Sequence, residues 1–430
     1  MGCGPAGLSA AIACHQRGHE VELFERFDAP QPLGSGIILQ PTGLAVLDAL
    51  GCRDAIMKLG HVINTMSGQS MPSNKQVLNV EYSALGEGMH GLAVHRAALF
   101  EVLFAKVTAL GVPVHTSTEI RSLSYTTNGV VPTSLEQHGE FDLCVDASGA
   151  NSALHVYADT PPKRRWLKYG AIWGSLDWPT NVFRENVLSQ RYVAAHTMIG
   201  VLPIGRHAGV ERDQAAFFWS MPSADYATWK ANDLNDWKSQ VRSIWPETDV
   251  LLEHITSHDQ MTMARYGHHT LAKPYGKRLA FIGDSAHATS PQLGQGANMG
   301  LLDAWALGFA LGNPLGNPLG NKESTGPNHT NGRSLKRALE VNKALHDYAR
   351  IRRWHVRLFQ LASLSLTPFY QSDGAVLAGV RDLCFDPVSR LPVAKRLVAG
   401  LVTGLLTNPL ERMGLSARSE TNALDSNRRR

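Results

Sequence analysis

The stretch FIGDSAHATSPQLGQGANMGLLDA, residues 281–304, decides the fold class. Its apolar start predicts a buried strand, its middle is a loop punctuated by glycine, and its end is a helix. Asp284 stands where the strand ends, a position suited to a ligand contact or to a helix cap. His287 is interpreted as a packed histidine. Strand, loop and helix in this order indicate α/β architecture.

The same order of elements occurs at the amino terminus. MGCGPAG, residues 1–7, carries Gly2, Gly4 and Gly7 in the G-x-G-x-x-G spacing of a dinucleotide-binding turn. GLSAAIACHQRG then predicts a helix, and HEVELFER predicts a strand that ends at Glu25. An acidic residue about 20 positions after the first glycine is what the ribose hydroxyls of a dinucleotide require. The alternative is a glycine-rich turn that precedes an alanine-rich helix by chance.

Residues 281–304 resemble the second FAD fingerprint of the aromatic-hydroxylase family of flavoprotein monooxygenases. The resemblance implies that Asp284 binds the ribityl chain of FAD and that Pro291 lies beside the isoalloxazine ring. It also places backbone N–H groups at the pyrimidine end of the flavin, from Gly294, Gln295, Gly296, Ala297 and Asn298. A helix N-terminus aimed at this edge stabilises the anion of reduced flavin, and glycines keep side chains out of the way.

Further segments resemble the same family. VHRAALFEVL, residues 94–103, resembles its Arg-led helix, which implies that Arg96 contacts the pyrophosphate or ribityl region of FAD. Arg26, next to Glu25, is a candidate contact to the adenosine. GSGIILQPTGLAVLDALG and the late segments LTPFYQSD and VRDLCFDP are similar to other parts of the family.

The resemblance implies an FAD-dependent monooxygenase. NADH or NADPH would reduce the flavin, O₂ would add to give a C4a-hydroperoxide, and oxygen would pass to a small organic substrate. Hydroxylation of an aromatic ring is the expected reaction, and epoxidation of an alkene is the alternative. Because the flavin carries the redox chemistry, no catalytic side chain is singled out. The alternatives are an FAD-dependent reductase or dehydrogenase on the same scaffold, or a non-functional truncated gene product.

Two departures from the family pattern stand out. The family motif G-A-D-G-x-x-S-x-x-R is matched by DASGANSALH, in which Asp146, Ser148 and His155 replace a glycine, an acid and an arginine. The strand that should precede the first glycine turn is represented by Met1 alone. Such a strand is normally central in the sheet, so we expect the chain to be shortened at its amino terminus.

The expected fold class is α/β, with a Rossmann-like FAD-binding domain of the glutathione-reductase type, an inserted, mainly antiparallel β-sheet substrate domain and a helical C-terminal region. Seven of the nine tryptophans fall between Trp166 and Trp245, where they line a pocket or fill a core. The predicted ranges are 1–65, 92–158 and 271–311 for the FAD-binding domain, 66–91 and 159–270 for the substrate domain, 312–334 for a flexible insertion and 335–430 for the helical region.

Composition limits the classes of partner and the cellular location that we expect for the chain. With 43% hydrophobic and 18% charged residues, the 430-residue chain has the composition of a soluble globular protein, and a net charge of +4 predicts no nucleic-acid partner. Five scattered cysteines without a C-x-x-C pair indicate reduced thiols and a cytoplasmic location. No metal site is expected, because His254 and His258 lack the glutamate of H-E-x-x-H.

The longest late apolar run is LVAGLVTGLLT, residues 397–407. It is about half the ~20 residues that a membrane-spanning helix needs. A helix packed in a core is the favoured interpretation. Peripheral membrane contact through the C-terminal helices is the alternative.

Overall fold

The computed structural model of the chain describes residues 1–29, 35–133, 138–313 and 330–417, and its strands form one large sheet and four smaller ones. Most of the predicted flexible insertion, 312–334, and the end of the predicted helical region lie outside the described residues. The strands are β1 (Leu23–Phe24), β2 (Gly36–Leu39), β3 (His61–Ile63), β4 (Thr65–Met71), β5 (Lys75–Glu81), β6 (Gly91–His95), β7 (Val114–His115), β8 (Leu123–Tyr125), β9 (Val130–Pro132), β10 (Cys144–Asp146), β11 (Arg165–Asp177), β12 (Val187–Val193), β13 (Thr197–Gly205), β14 (Gln214–Pro222), β15 (Thr262–Thr270), β16 (Tyr275–Gly276), β17 (Leu279–Phe281) and β18 (His287–Ala288).

The described residues also form eleven α-helices. They are α1 (Pro5–His15), α2 (Pro41–Ala49), α3 (Arg53–Met57), α4 (Arg96–Ala109), α5 (Tyr226–Ala231), α6 (Leu234–Ile244), α7 (Asp249–Leu252), α8 (Gly296–Leu311), α9 (Thr330–Tyr370), α10 (Ala375–Ser389) and α11 (Pro392–Thr403). The structure thus has the predicted α/β part, a large added sheet and a helical C-terminal region. The exact domain ranges stay a prediction.

Parallel pairing occurs in two separate ladders of the α/β part. β1 pairs with β7, and β10 pairs with β17. The first two residues lie between these ladders: Gly2 N donates to Phe24 O at 2.8 Å, the Met1 amino group donates to Val145 O at 2.8 Å, and Ala147 N donates to Met1 O at 2.9 Å. The first glycine turn is therefore bonded to a strand on each side.

The large sheet has the order β18-β15-β11-β14-β13-β12-β4-β5, and every neighbouring pair except β12–β4 is antiparallel. Successive side chains of a strand face opposite sides, so β14 divides its aromatic residues. Phe217 and Trp219 pack into a core with α5, α6 and α7, whereas Phe218 faces the opposite side. Most of the tryptophans of this region, including Trp237 and Trp245, belong to that core.

Among the described residues, three helices follow α8. The long helix α9 brings Tyr348 and Arg352 into the interior. The apolar run predicted at 397–407 forms the end of α11 and the turn at Gly404, with Leu397 and Val398 exposed and Val402 buried. Within the described residues, no helix combines the length and the hydropathy that crossing a bilayer requires.

Candidate active site

A single cavity of about 1330 Å³ connects the α/β part to the large sheet. Glu25 and Asp284 both line it, as do Trp173 and Phe218 from the sheet. Pockets for one drug-sized molecule are typically ~300–1,000 Å³. This cavity is therefore large enough for a dinucleotide and a second, smaller molecule.

Residues 1–7, the first glycine turn, form one wall of the cavity. Gly2 has φ +86°, and a Cβ added to it would lie 2.7 Å from Ala147 O. A Cβ on Gly7 would lie 2.0 Å from Gly2 O. A Cβ on Gly4 would meet no protein atom within 4 Å, among the residues that the structure describes, and Gly4 lines the cavity. Two glycines thus allow the turn to close, and the third leaves room for a ligand.

Helix α1 starts directly from this turn and points its N-terminus at the cavity. Its first hydrogen bond runs from Leu8 N to Gly4 O at 3.0 Å. The N–H groups of Ala6 and Gly7 precede that bond and are the groups that a helix offers to an anion at its start. The turn therefore combines open space with hydrogen-bond donors.

Glu25 is fixed by the backbone around it. Its Oε2 accepts a hydrogen bond from Cys3 N at 2.7 Å, and its Oε1 accepts one from Phe27 N at 3.2 Å. The side chain is buried, yet it lines the cavity. Each carboxylate oxygen has a second lone pair, so Glu25 can accept hydroxyl groups of a ligand in a preset position.

Residues 283–298, the second glycine turn, form the adjoining wall. Gly283 and Gly294 adopt φ of +60° and +61°, which favour glycine. The Asp284 side chain is exposed and lines the cavity. The other predicted site residues of this turn that line the cavity are Pro291, Gly294, Gly296 and Ala297.

Two predicted residues of the second turn use their side chains elsewhere. Asn298 is fully buried: its Oδ1 accepts from Gln40 N at 2.8 Å, and its Nδ2 donates to Ile38 O and Gly294 O, both at 3.0 Å. Gln295 is also buried, and its Nε2 donates to Val402 O. Only the backbone N–H groups of these two residues lie at the start of α8, so their contact to a flavin stays a prediction.

The two glycine turns touch each other. A Cβ added to Gly283 would lie 3.0 Å from Ala6 Cβ, and one added to Gly300 would lie 3.3 Å from the same atom. These contacts bring the N-termini of α1 and α8 together at the cavity. Two helix N-termini at one place create a strong site for negative charge.

A buried charged group, the Asp303 cluster (Asp303, His287, Arg352 and His355), supports the second turn. Asp303 Oδ2 accepts from Gly283 N at 2.9 Å and lies 2.6 Å from His287 Nε2, while Oδ1 accepts from Arg352 Nε at 2.6 Å. Burial raises the pKa of Asp303, but His287 and Arg352 together outweigh it and lower that pKa to about 2. His287 is thus buried, as interpreted from the sequence, while Asp303 and Arg352 were not identified from it.

The two predicted arginines both line the cavity with exposed side chains. The Arg26 guanidinium lies 4.6 Å from the centre of the Phe27 ring. Arg96 is the first residue of α4, and His95 caps this helix by accepting from Ala97 N at 3.0 Å. Burial, with His207 and Arg96 nearby, lowers the pKa of His95 to about 4, so His95 stays neutral beside Arg96.

The stretch that departs from the family motif forms a closed turn. Asp146 is fully buried, and its Oδ1 accepts from Ser148 N at 2.9 Å and from Ser148 Oγ at 2.6 Å. Its Oδ2 accepts from Ser152 Oγ. His155 Nε2 lies 2.7 Å from Ser285 O, which ties this turn to the second glycine turn. Asp146 therefore serves the turn, and Ser148 lines the cavity in the place of the family's acid.

The inner face of the large sheet gives the far end of the cavity an apolar lining. Trp173 stacks on Phe218 at 4.6 Å between ring centres, and its Nε1 donates to Tyr266 OH at 3.1 Å. Burial raises the pKa of Tyr266 to about 12, so this phenol is protonated at neutral pH. Other residues of this end are Leu188, Gln190, Tyr192, Met198, Leu202, Leu366, Tyr370 and Phe385.

One group of potential metal ligands lies outside the cavity, among the described residues. His115 Nε2 and His138 Nδ1 lie 3.0 and 3.2 Å from the same atom, Glu22 Oε2. Two N–H···O contacts account for this geometry. The sequence pair His254 and His258 lies beyond the end of α7 and forms no helical face.

The cavity fits an extended dinucleotide. Glu25 can accept hydroxyls beside the first turn, Asp284 can accept hydroxyls beside the second, and the two helix N-termini lie between them. Cβ atoms on Gly4 or Gly296 would project into space free of described protein atoms. These features match FAD, with its ribose, pyrophosphate and ribityl groups.

Comparisons with known proteins agree with this geometry. The model of the FAD binding domain family matches residues 1–318. The chain is 26% identical over 355 residues to hispidin-3-hydroxylase of Neonothopanus nambi, covering 72% of this chain and 78% of the relative. It is 24% identical over 327 residues to the FAD-dependent urate hydroxylase of Klebsiella pneumoniae, covering 72% and 79%.

A solved structure extends the likeness in fold. Klebsiella pneumoniae HpxO complexed with FAD and uric acid aligns with a TM-score of 0.73 at 19% identity, covering 95% of this chain and 96% of that one. The added sheet and the C-terminal helices are therefore within the shared fold.

Proposed function

This chain belongs to the FAD-binding-domain family of flavoprotein monooxygenases, and on that premise we propose that it hydroxylates a small, largely apolar aromatic substrate. The observation that carries the proposal is the continuity of the cavity. One half of the cavity offers backbone hydrogen-bond donors and two carboxylates, and the other half offers aromatic and aliphatic side chains. A nucleotide and an apolar substrate can thus lie end to end.

We assign the FAD contacts residue by residue. The backbone of the first glycine turn and the start of α1 hold the pyrophosphate, Glu25 accepts the ribose hydroxyls, and Asp284 accepts hydroxyls of the ribityl chain. Arg96, which also lines the cavity, adds positive charge. The N-terminus of α8 faces the pyrimidine end, where its N–H groups stabilise negative charge.

Bound FAD supplies the redox chemistry, with NADH or NADPH as the reductant and O₂ as the oxygen source. The chain itself positions the substrate and keeps water away from it. Trp173, Phe218 and Tyr370 provide the apolar enclosure. The Tyr266 phenol is protonated at neutral pH, and its oxygen accepts a hydrogen bond from Trp173 Nε1. We therefore assign Tyr266 a structural role beside Trp173.

Gln190 is the side chain that we propose orients the substrate. It is buried, its Oε1 accepts from Tyr192 OH at 3.1 Å, and its Nε2 donates to the thioether of Met198 at 3.3 Å. A thioether is a weak acceptor. An oxygen on an aromatic substrate would be a stronger partner for this N–H group. Hydroxylated or oxo-substituted rings are the class that this arrangement favours.

Hydroxylation is preferred over the alternatives of a reductase or dehydrogenase, because the relatives named above are hydroxylases. The deciding measurement is isotopic. We expect the purified protein to bind FAD, to show bleaching of the flavin absorbance by NADH or NADPH without air, and to incorporate ¹⁸O from ¹⁸O₂ into an aromatic product. Flavin reduction with no oxygen from O₂ in any product would identify a reductase.

A matched variant separates substrate orientation from cofactor binding. Gln190→Leu should leave FAD affinity unchanged, because Gln190 lies at the sheet end of the cavity. It should lower the fraction of NAD(P)H oxidation that yields hydroxylated product. If this variant instead loses FAD, the assignment of the two halves of the cavity is wrong.

We propose a cytoplasmic location. All five cysteines are free thiols; Cys3, Cys14, Cys52 and Cys144 are buried, and Cys384 is exposed. Free thiols suit a reducing compartment, which also supplies NADH and NADPH. Peripheral contact of the C-terminal helices with the cytoplasmic side of a membrane is compatible with this location.

A further inference from the structure

The two helices α10 and α11, the C-terminal hairpin, expose an unusual number of large apolar side chains. Val376, Leu383 and Val393 are 79%, 69% and 73% exposed. The other exposed aliphatic residues of the hairpin are Val380, Val388, Leu391, Leu397 and Val398. Surface aliphatic residues are ordinary when scattered singly, but a contiguous set marks a site of contact.

Charge on this surface has one sign. Between residues 376 and 398, all of which the structure describes, the exposed residues are aliphatic, glycine, proline or cysteine except for Arg390 and Arg396. The two acidic residues of the stretch are partly buried and paired: Asp382 lies 2.7 Å from Arg381, and Asp386 lies 2.7 Å from Arg390. The exposed face is thus apolar, and the charge that no hairpin carboxylate compensates is that of Arg396, because Asp386 pairs with Arg390.

The same hairpin closes the apolar end of the cavity. Phe385 and Leu401 line it from the inner side of the two helices. Val388 and Val398 also line the cavity and are 47% and 38% exposed. The apolar end of the cavity therefore reaches the protein surface at the hairpin.

We propose that the C-terminal hairpin docks on the surface of an anionic membrane and that the apolar end of the cavity faces the lipid. With 15 and 12 residues, α10 and α11 are too short to cross a bilayer of ~20 residues' span, but they can lie in its interface. Valine and leucine enter the acyl boundary, and the two arginines meet phosphate groups. The direction of the cavity rests on the proposed function; the docking does not.

A second copy of the chain fits this face less well. A two-fold symmetric contact presents the same patch from both copies. Arg396 of each copy would then enter one patch, and neither hairpin offers an exposed carboxylate to pair with it, because Asp386 already pairs with Arg390 at 2.7 Å. Like charges that meet at an interface oppose it, whereas anionic lipid complements them.

Vesicle flotation tests the docking with the full, FAD-loaded chain. The probes are vesicles of phosphatidylcholine with about one third phosphatidylglycerol, and vesicles of phosphatidylcholine alone. We expect the protein to float with the anionic vesicles and several-fold less with the neutral ones. Leu383→Asp combined with Val393→Asp should lower the bound fraction at least about tenfold, because two exposed aliphatic anchors are lost.

Leu339→Asp is the matched control, because Leu339 is 61% exposed on α9 and lies outside the hairpin. It should float like the unchanged chain. Flavin absorbance of the variants reports folding and cofactor binding independently of docking. Failure of the unchanged chain to float with anionic vesicles, or equal loss in the control, overturns the proposal. A dimer in light scattering that Leu383→Asp dissociates, without flotation, would assign the face to a second copy.

Discussion

The first and second glycine turns perform one task by different physical means. Each brings a helix N-terminus to the cavity, and each has glycines with positive φ. The first is held by backbone contacts and by hydrogen bonds from Cys3 N and Phe27 N to Glu25. The second is held by the buried Asp303 cluster, to which a distant helix contributes Arg352.

The two turns differ in how far along the chain the residues that fix their geometry lie. In the first turn, the glycines, Glu25 and the backbone donors to Glu25 all lie within residues 1–27, although Met1 also bonds to Val145 and Ala147. In the second, Gly283 depends on Asp303, and Asp303 depends on Arg352 of α9. A buried ion pair is strongly destabilised when one partner is lost. The second turn should therefore be the more vulnerable to a single change far from it.

The largest effect is expected from Arg352→Ala. The change leaves the Asp303 carboxylate buried without its guanidinium, so the free energy of unfolding should fall by about 3–5 kcal/mol. Urea unfolding measures it. Arg350→Ala is the control, because Arg350 is exposed and pairs with Asp347 at the surface, at 2.8 Å; it should cost less than about 1 kcal/mol. Equal effects would contradict a special role for the Asp303 cluster.

Next in size is the contrast between Gly7→Ala and Gly4→Ala in the first turn. A Cβ at Gly7 would lie 2.0 Å from Gly2 O, so the turn must shift. Such overpacking costs ~1–3 kcal/mol of folding free energy, which thermal unfolding of the FAD-free protein reports. Gly4→Ala should leave that stability within about 0.5 kcal/mol. It should also weaken FAD binding, which fluorescence titration measures. If Gly4→Ala binds FAD normally, the pyrophosphate does not lie there.

Asp284→Asn and Glu25→Gln compare the two glycine turns by their contributions to FAD affinity. Asp284 is exposed to the cavity, so its neutral amide should leave the stability of the FAD-free protein unchanged. Loss of a hydrogen bond to a charged group costs about 1.5 kcal/mol, or roughly tenfold in FAD affinity. Glu25→Gln should lower both affinity and stability, because two backbone N–H groups also use that carboxylate. Unaltered FAD affinity in Asp284→Asn would remove its assigned role.

The smallest expected effect is a dependence on pH that His355 adds to the second turn. Burial, with Arg352 nearby, lowers the pKa of His355 well below its ordinary 6.5. The folded protein keeps it neutral, while the unfolded chain binds a proton below about pH 6.5, so its contribution is present above that pH and is lost as the pH falls. Between pH 7 and 5.5 this amounts to about 1 kcal/mol.

His355→Gln should remove that share of the pH dependence in chemical unfolding curves at the two pH values. Arg352 Nη1 lies 3.1 Å from His355 Nδ1, and a glutamine oxygen can still accept from this guanidinium. An unchanged difference between the two pH values would show that His355 is not the group responsible.

Sequence reasoning predicted residues that the structure brings to one cavity. Glycine spacing pointed to the first turn, and the resemblance to the second FAD fingerprint pointed to Asp284; both line the cavity, and their contacts to FAD stay predictions. Gln295 and Asn298 were predicted to contact the flavin through their backbone N–H groups, which stays a prediction, while their side chains brace neighbouring segments. Arg352 carries no local signal, because its partner is 49 positions away in sequence.

Tryptophan placement shows the same limit in the sheet. Trp173 lines the cavity, while Trp219 lies in the core on the other face of the sheet. Both faces of the sheet are apolar, so neither hydropathy nor composition indicates which one meets the ligand. Strand register decides it, and register comes from pairing between distant segments.

Cys384, on the C-terminal hairpin, is exposed, whereas the other four cysteines are buried, so the hairpin can carry a selective label. The four interior thiols are shielded, and burial raises the pKa of Cys3 and Cys14 to about 11 and that of Cys144 to about 12, while Cys384 projects from α10. A maleimide dye at neutral pH should therefore label the unmutated protein at one position. A polarity-sensitive fluorophore attached there would shift its emission towards the blue on contact with lipid and leave the nucleotide pocket untouched.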